Sequence, residues 1–412
     1  MKRLFLLASV LIFSLSCEND TQIDETNQEI TQRNCGAQEV LEAQLRANPE
    51  LALKMDEIER FTEEAIAQRR LVNGVIEIPV VVNVLYKTTA QNVSQAQIQS
   101  QIDALNKDYN ATNTDFGSVP ALFSGVKANV GIRFVLDAVY RKSTTKTSWK
   151  LDDSMKKSNK GGINPTSPTT KLNLWVCNLT SGYLGYAQFP GGASATDGVV
   201  IDDNAFGTTG TAAAPFNKGR TATHEIGHYF GLYHPWGEDG SSCGSAANSD
   251  FVSDTPATSD PYYDCPTFPD NTNACTSSTN GSMFMNYMEY VNDACMAFFT
   301  AGQKTIVRNA LSGPRLSLLS SNGCGTLGLN EYEAINAIAV YPNPVTSYFM
   351  ITSPQVQIDE VEVYNALGQL VKTQKLIQTN NVIDIQDLAS GTYYLRIYNE
   401  GKFLKSDKII KK

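Results

Sequence analysis

The chain has 412 residues, 42% of them apolar, with 33 Lys+Arg against 42 Asp+Glu. That length suggests two or three domains, and a formal net charge of −9 without basic runs outside the two ends excludes a nucleic-acid partner and an extended disordered polyampholyte. Only three histidines are present, all between 224 and 234, so any histidine-dependent chemistry belongs to that stretch.

Lys2 and Arg3 followed by the apolar run Leu4 to Leu15 read as a secretory signal over 1–17, too short to span a bilayer. Cys17, directly before Glu18-Asn19-Asp20, leaves two outcomes open: lipidation, giving an outer-membrane lipid anchor, or plain cleavage nearby. Export through the periplasm makes disulfides permissible for the eight cysteines. Residues 18–72 read as a helical propeptide, with apolar spacing at Leu41, Leu45, Leu51, Met55, Ile58 and Phe61 and little core of its own.

The texture changes at Val75. Ile76 to Tyr86 is a strand, and Ser94 with Gln97 signals a capping box before a helix carrying Ile98, Ile102, Leu105 and Tyr109 on one face. Residues 142–170 read as an exposed loop, 172–179 and 198–201 as strands, and 237–282 as an irregular stretch that needs staples or ions to hold it. These features predict an α+β domain over 73–325. After a linker at 326–337, seven short strands between Ile338 and Ile410, separated by regular turns, predict a small β-sandwich over 338–412.

Residues 224–234 read His-Glu-Ile-Gly-His-Tyr-Phe-Gly-Leu-Tyr-His, which satisfies H-E-x-x-H-x-x-G-x-x-H at every fixed position. One helical turn separates His224 from His228, so both imidazoles can reach one zinc. Gly231 lets the chain break the helix and bring His234 round as the third ligand. Three protein ligands leave one position open, which marks a catalytic zinc, and Glu225 on the flank is placed to act as general base toward a zinc-activated water. No histidine remains for a Ser-His or Cys-His nucleophile.

The zinc motif, together with Asn286-Tyr287-Met288-Glu289-Tyr290, His234-Pro235-Trp236-Gly237, Asp250-Phe251-Val252-Ser253-Asp254-Thr255-Pro256 and Asn292-Asp293-Ala294-Cys295-Met296, resembles the pappalysin family of metzincin zinc endopeptidases, in particular its cytophagalysin and ulilysin-like members. The likeness covers about residues 75–324. It implies a metzincin-type catalytic domain, a mixed twisted sheet with a backing helix and an active-site helix. It also implies Met288 as the Met-turn floor beneath the zinc ligands and Tyr290 as a hydrogen-bond donor to the reaction intermediate. Asn83 stands at a strand position where members often carry His.

Sequence alone allows three pairings of Cys243, Cys265, Cys275 and Cys295; the resemblance implies Cys243 with Cys275 and Cys265 with Cys295. It also implies calcium, a hard cation, held by Asp250, the carbonyl of Val252, Asp254 and Thr255. Asp293 either shapes the pocket just past the scissile bond, favouring a basic residue there, or makes a plain Asn-Asp turn. Cys35, in Arg33-Asn34-Cys35-Gly36, reads as a latency cysteine that fills the open zinc position; the alternative is a disulfide to Cys177 or Cys324.

At the C-terminus, Tyr341-Pro342-Asn343-Pro344, Val363 to Gly368, Gly391-Thr392-Tyr393-Tyr394-Leu395 and the closing Lys411-Lys412 resemble the sorting domain of the type IX secretion system, which implies that machinery as a partner. The expectation is therefore a secreted or cell-surface zinc endopeptidase made as a latent proenzyme and acting on protein or peptide substrates. The alternative is a noncatalytic zinc-binding surface adhesin on the same fold.

Overall fold

The computed structural model describes residues 30–67, 75–237, 243, 250–275, 281–320, 338–353, 358–376, 382–399 and 402–412. Contacts divide the chain at Thr31, and the architecture below is that of Gln32–Lys412. Cys17, Arg69, Arg70, Cys324 and the 326–337 linker lie outside the described residues. Among the described residues no helix is long and apolar enough to cross a membrane.

Two helices come first, α1 (Ala37–Ala47) and α2 (Glu50–Ala67). Asn48 between them is extended (φ −141°), as the residue before Pro49 is sterically biased to be. Among the described residues their apolar side chains join the core of the following domain. Val40 joins Trp149, Trp175 and Tyr186, while Leu41 and Leu51 cover Phe189.

The central sheet has five strands in the order β3 (Ile132–Ser143), β1 (Ile76–Tyr86), β4 (Leu172–Cys177), β6 (Val199–Asp202), β5 (Gly185–Ala187), with β2 (Lys127–Ala128) pairing β7 (Phe299–Thr300) apart from it. All neighbours in the large sheet are parallel except the edge strand β5, which runs antiparallel to β6. β1 and β4 are buried on nearly every residue, as a continuous Val/Ile/Leu run between two covered faces requires. The long helix α3 (Gln95–Tyr109) packs against β3 and the active-site helix α4 (Arg220–Tyr229). Helix α5 (Ala301–Ser312) opens with a complete capping box between Thr300 and Gln303.

Three expectations change. At α3 the Ser94 hydroxyl accepts from Gln97 N, but the Gln97 amide turns away to Phe206 O and Thr211 Oγ1, so the box is half made. The 142–170 stretch is not simply exposed: Trp149, Met155 and Lys156 are buried in it, with the Lys156 ammonium bonded to Thr196 O and Asp153. β3 was not expected at all, because its alternation dissolves into an exposed edge ending in Arg141 and Lys142.

The C-terminal strands form two antiparallel sheets. One orders β11 (Leu370–Lys375), β10 (Glu360–Asn365), β13 (Gly391–Asn399), β14 (Lys402–Lys411), and the other β12 (Val382–Asp384), β9 (Tyr348–Thr352), β8 (Ala339–Tyr341). Alternate residues point inward, Phe349 and Ile351 from one sheet meeting Val361, Val363, Leu395 and Ile397 from the other.

Candidate active site

The short helix α4 is buried along its whole length and carries His224, Glu225 and His228. Close packing beneath it explains Gly227, where a Cβ would collide with the sulfur of Met288, itself fully buried. Gly231, at φ 95°, lies in the left-handed region that stops the helix and redirects the chain to His234.

The three imidazoles converge. His224 Nδ1–H donates to Tyr287 O (2.8 Å) and His228 Nδ1–H to Leu232 O (2.7 Å), which leaves both Nε2 atoms as lone-pair donors pointing inward. The Nε2 atoms of His224, His228 and His234 lie 3.0, 3.1 and 3.2 Å apart. A tetrahedral zinc at about 2.0–2.1 Å from each would space them about 3.3–3.4 Å apart. Lone pairs crowded this closely repel unless a cation lies between them, so the donor set fits zinc. Burial, followed by the neighbouring His228, His234 and Arg33, pushes the His224 imidazole well below its usual pKa, which keeps it neutral and able to ligate. Trp236 stacks on His234 (4.3 Å, 7°) and Tyr290 stands edge-on to it at 5.0 Å.

The segment just ahead of α1 enters this site. Cys35 forms a parallel bridge with Gly185 of β5, Leu184 N donates to Asn34 O (2.9 Å) and Gly36 N to Gly185 O (2.8 Å). Cys35 Sγ joins the three histidines in one buried group whose ligand atoms all lie within 4.8 Å of one another, and it sits 3.3 Å from Glu225 Oε2. The Tyr290 hydroxyl meets Cys35 N (3.3 Å) and Cys35 O (3.4 Å). Cys177 is a separate buried free thiol.

Two residues before Cys35, Arg33 fills a closed pocket. Its guanidinium pairs with Asp293 (2.6 Å), donates to Thr221 Oγ1 (3.0 Å) and Val291 O (3.4 Å), and lies over the Phe216 ring. Asp293 also accepts from Lys218 N (2.7 Å) and Arg220 N (3.2 Å), so it is a buried receptor rather than an exposed turn. No role for Arg33 was expected from the sequence; its place two residues ahead of Cys35 is the only signal there. Arg220 ties this wall to α3 through Asp108 (3.2 Å), whose carboxyl, raised by burial against the pull of Arg220, accepts from Thr223 and Tyr287.

Around the site, disulfides join Cys243 to Cys275 and Cys265 to Cys295, with Cα separations of 4.9 and 5.6 Å. Asp250, Val252 and Thr255 gather: Thr255 Oγ1 donates to Asp250 (2.6 Å) and approaches Val252 O (2.8 Å). Asp254, near enough to add to burial in raising the Asp250 carboxyl, has further partners of its own. Its oxygens accept from Thr300 Oγ1 (2.6 Å) and Gly302 N (2.9 Å) at the start of α5, where a carboxylate is favoured by the unpaired N–H groups and the helix dipole. Asn83 is buried beside Asn173. Glu289, between Met288 and Tyr290, accepts from Tyr262 N (3.1 Å) and Tyr290 N (3.3 Å), and burial pushes its carboxyl up to about 8.

A helix-borne histidine pair, a third histidine after a glycine turn, and a methionine floor under a mixed sheet define a metzincin-type zinc metalloendopeptidase. Residues 167–312 match the family described as Pregnancy-associated plasma protein-A, and residues 95–235 match Metallo-peptidase family M12B Reprolysin-like. An extracellular metalloprotease of Colletotrichum graminicola is 32% identical over 304 residues, 70% of this chain and 93% of the relative. Mature mirolysin of Tannerella forsythia, solved with a cleaved peptide, is 42% identical over 60% of this chain and 97% of its own, with a TM-score of 0.58. A mutant of promirolysin from the same organism is 40% identical over 70% and 97%, with a TM-score of 0.63. The chain belongs to the pappalysin family of extracellular metalloproteases. It is a zinc metalloendopeptidase with a proenzyme form, and residues 339–412 match the secretion system C-terminal sorting domain, which makes it a secreted or cell-surface protein handled by type IX machinery.

Proposed function

We propose that residues 73–325 hydrolyse peptide bonds with Glu225 as general base, that 18–72 are the latency segment, and that 338–412 are the export signal read after the 1–17 signal and the 326–337 linker. The lipid anchor at Cys17 rests on the sequence alone. The observation that carries the reading is the gathering of Cys35, His224, His228 and His234 into one buried group, with the prosegment laid along edge strand β5.

His224, His228 and His234 would hold zinc, which supplies Lewis acidity to a water and to the substrate carbonyl. Glu225 takes the proton of the attacking water and passes it to the departing amine. Tyr290 donates its hydroxyl proton in a hydrogen bond to the carbonyl oxygen as charge develops there, the position its contacts with the Cys35 backbone now occupy. Met288 supports the ligands from below.

Latency follows from occupancy. Cys35 would take the fourth zinc position, and the prosegment lies parallel to β5 with Arg33 in the pocket that would receive the residue after the scissile bond. Asp293 makes that pocket select a basic residue. A junction such as Gln68-Arg69-Arg70-Leu71 is then a site the enzyme itself can cut. The two disulfides brace the loops around the site. Asp250, the carbonyl of Val252 and Thr255 offer a calcium an oxygen-lined corner, to which Asp254 contributes less directly because it caps α5.

The test is peptide cleavage by the processed protein with and without a zinc chelator. Glu225→Ala should retain zinc and lose at least ~10²-fold in turnover, while His228→Ala should lose the metal itself. A processed protein that holds zinc yet cuts no denatured protein is the noncatalytic adhesin, and near-normal cleavage by Glu225→Ala removes the mechanism.

A further inference from the structure

Pairing between the prosegment and β5 stops at Gly36, because Ala37 opens α1. Beyond that point the prosegment covers its partner with side chains. Ala37, Leu41 and Leu51 bury Phe189, which lies just past the end of β5 and is 2% exposed. Leu45 and Met55 pack on the same cluster together with Tyr233 and Tyr290. Phe189 and Tyr233 meet at 5.0 Å between ring centroids, and Phe189 touches the imidazole of His228 at 5.3 Å. The prosegment does not fill the space completely. A cavity of about 150 Å³ remains between α2 and the surface made by Phe189, Pro190, Phe230, Tyr233 and Ile306.

We infer that this apolar hollow is a substrate subsite in the processed enzyme, taking a large aliphatic or aromatic side chain on the amino-terminal side of the scissile bond. The inference rests on the protease reading above. Direction along β5 fixes the side: Arg33 occupies the Asp293 pocket past the scissile bond, Cys35 sits opposite Gly185 at the ligand cluster, and the chain then moves toward Phe189. At about 3.3 Å per extended residue, the step from Gly185 to Phe189 spans about 13 Å, which corresponds to substrate positions two to four residues before the cut. Chemistry fixes the occupant. On the enzyme side the hollow is mostly apolar, Asp250 excepted, and it is closed from α2 by Met55, Ile58, Glu59 and Thr62. Removing them leaves several aromatic faces together at the surface beside the catalytic metal, and a substrate side chain buried there regains the contacts that the prosegment gives up.

The experiment uses the processed enzyme and peptides with Arg fixed after the scissile bond, carrying Leu, Lys or Ser in turn at each of the second, third and fourth positions before it. At one of these positions Leu should exceed Ser about ten- to a hundredfold in kcat/KM, the worth of burying one large apolar side chain. Ile306→Glu, which puts a carboxylate at the hollow away from the ligand cluster, should shift that preference from Leu toward Lys; Ile306→Ser, the milder change, should narrow it. The readout is a ratio within one enzyme, so a loss of folded protein does not imitate it. Cleavage before Arg that is indifferent to Leu, Lys and Ser at all three positions, or a preference untouched by both variants, overturns the subsite and leaves the protease reading standing. Absence of any cleavage would instead strike the protease reading itself.

Discussion

Arg33→Ala in the precursor isolates what the pocket contributes to latency. The pair it breaks is closed to water, with side-chain exposures of 1% for Arg33 and 0% for Asp293. Removing one partner of such a pair leaves the other charge buried and costs about 3–5 kcal/mol. Asp293 keeps two backbone donors, Lys218 N and Arg220 N, which places the cost near the lower end, about 3 kcal/mol. At about 1.4 kcal/mol per factor of ten, the prosegment's hold on the site should weaken about a hundredfold. The assay is the activity of the uncut precursor on a short quenched peptide, followed before self-processing begins. Arg33→Ala should leak about a hundredfold more activity than the wild type, and Cys35→Ala should be active or self-process sooner by a separate route. Arg33→Lys keeps the charge but loses the forked geometry, and should fall between. Because Asp293→Ala removes the same contact, the double variant, with each leak expressed relative to the activity of its own processed form, should leak little more than either single one. An Arg33→Ala precursor as latent as the wild type, or two changes that add in full, would refute the pocket's role.

Two further outcomes concern the surrounding loops. Calcium added to Glu225→Ala precursor, chosen so that it cannot digest itself, should raise the unfolding temperature, by about 2.7 kcal/mol of stabilisation at a hundred times Kd, and Asp250→Ala should abolish the rise; an equal rise in both proteins counts against this corner as the site. Glu289 holds a proton up to about pH 8 when folded but only to its ordinary 4.5 when unfolded, so the stability it contributes is complete below pH 4.5 and is lost as pH rises toward 8. Glu289→Gln, which still accepts from Tyr262 and Tyr290, should therefore lose less stability between pH 5 and 8, by up to about 1.4 kcal/mol per unit, and parallel urea-midpoint curves for the two proteins would count against it.

The features that were legible in the sequence are those written at short range. The spacing of His224, His228, Gly231 and His234 is a statement about one helix and the turn that ends it, and local geometry brings these residues together once the helix forms. The alternation in β9, β10 and β13 likewise reports two half-buried sheets, because each strand records its own inward and outward faces. β3 failed this test for a physical reason: it is an edge strand whose exposed half carries no alternation. The contacts of Asp254 with the start of α5 were not legible for another, since an aspartate in an acidic loop has the same signature whether or not it meets a helix that begins at Ala301.

The partnership of Arg33 with Asp293 belongs to a third kind. The two lie 260 positions apart, in segments that meet only because the prosegment takes the edge of β5. Neither residue announces the other: Arg33 stands in a polar stretch where a solvated arginine is the ordinary expectation, and Asp293 follows Asn292 as a turn residue would. What converts both into a recognition pair is the closure of the pocket by Phe216, Thr221 and Val291, which excludes water from a charge that then has to be matched. The same closure explains why one residue can serve two states. Here Asp293 is satisfied from within the chain; on the proposed reading, removal of 18–72 would take one donor from that buried carboxylate and a basic residue of the substrate would supply it. On that reading selectivity for substrate and strength of latency draw on one contact, and a substitution at Asp293 that relaxes the first should weaken the second.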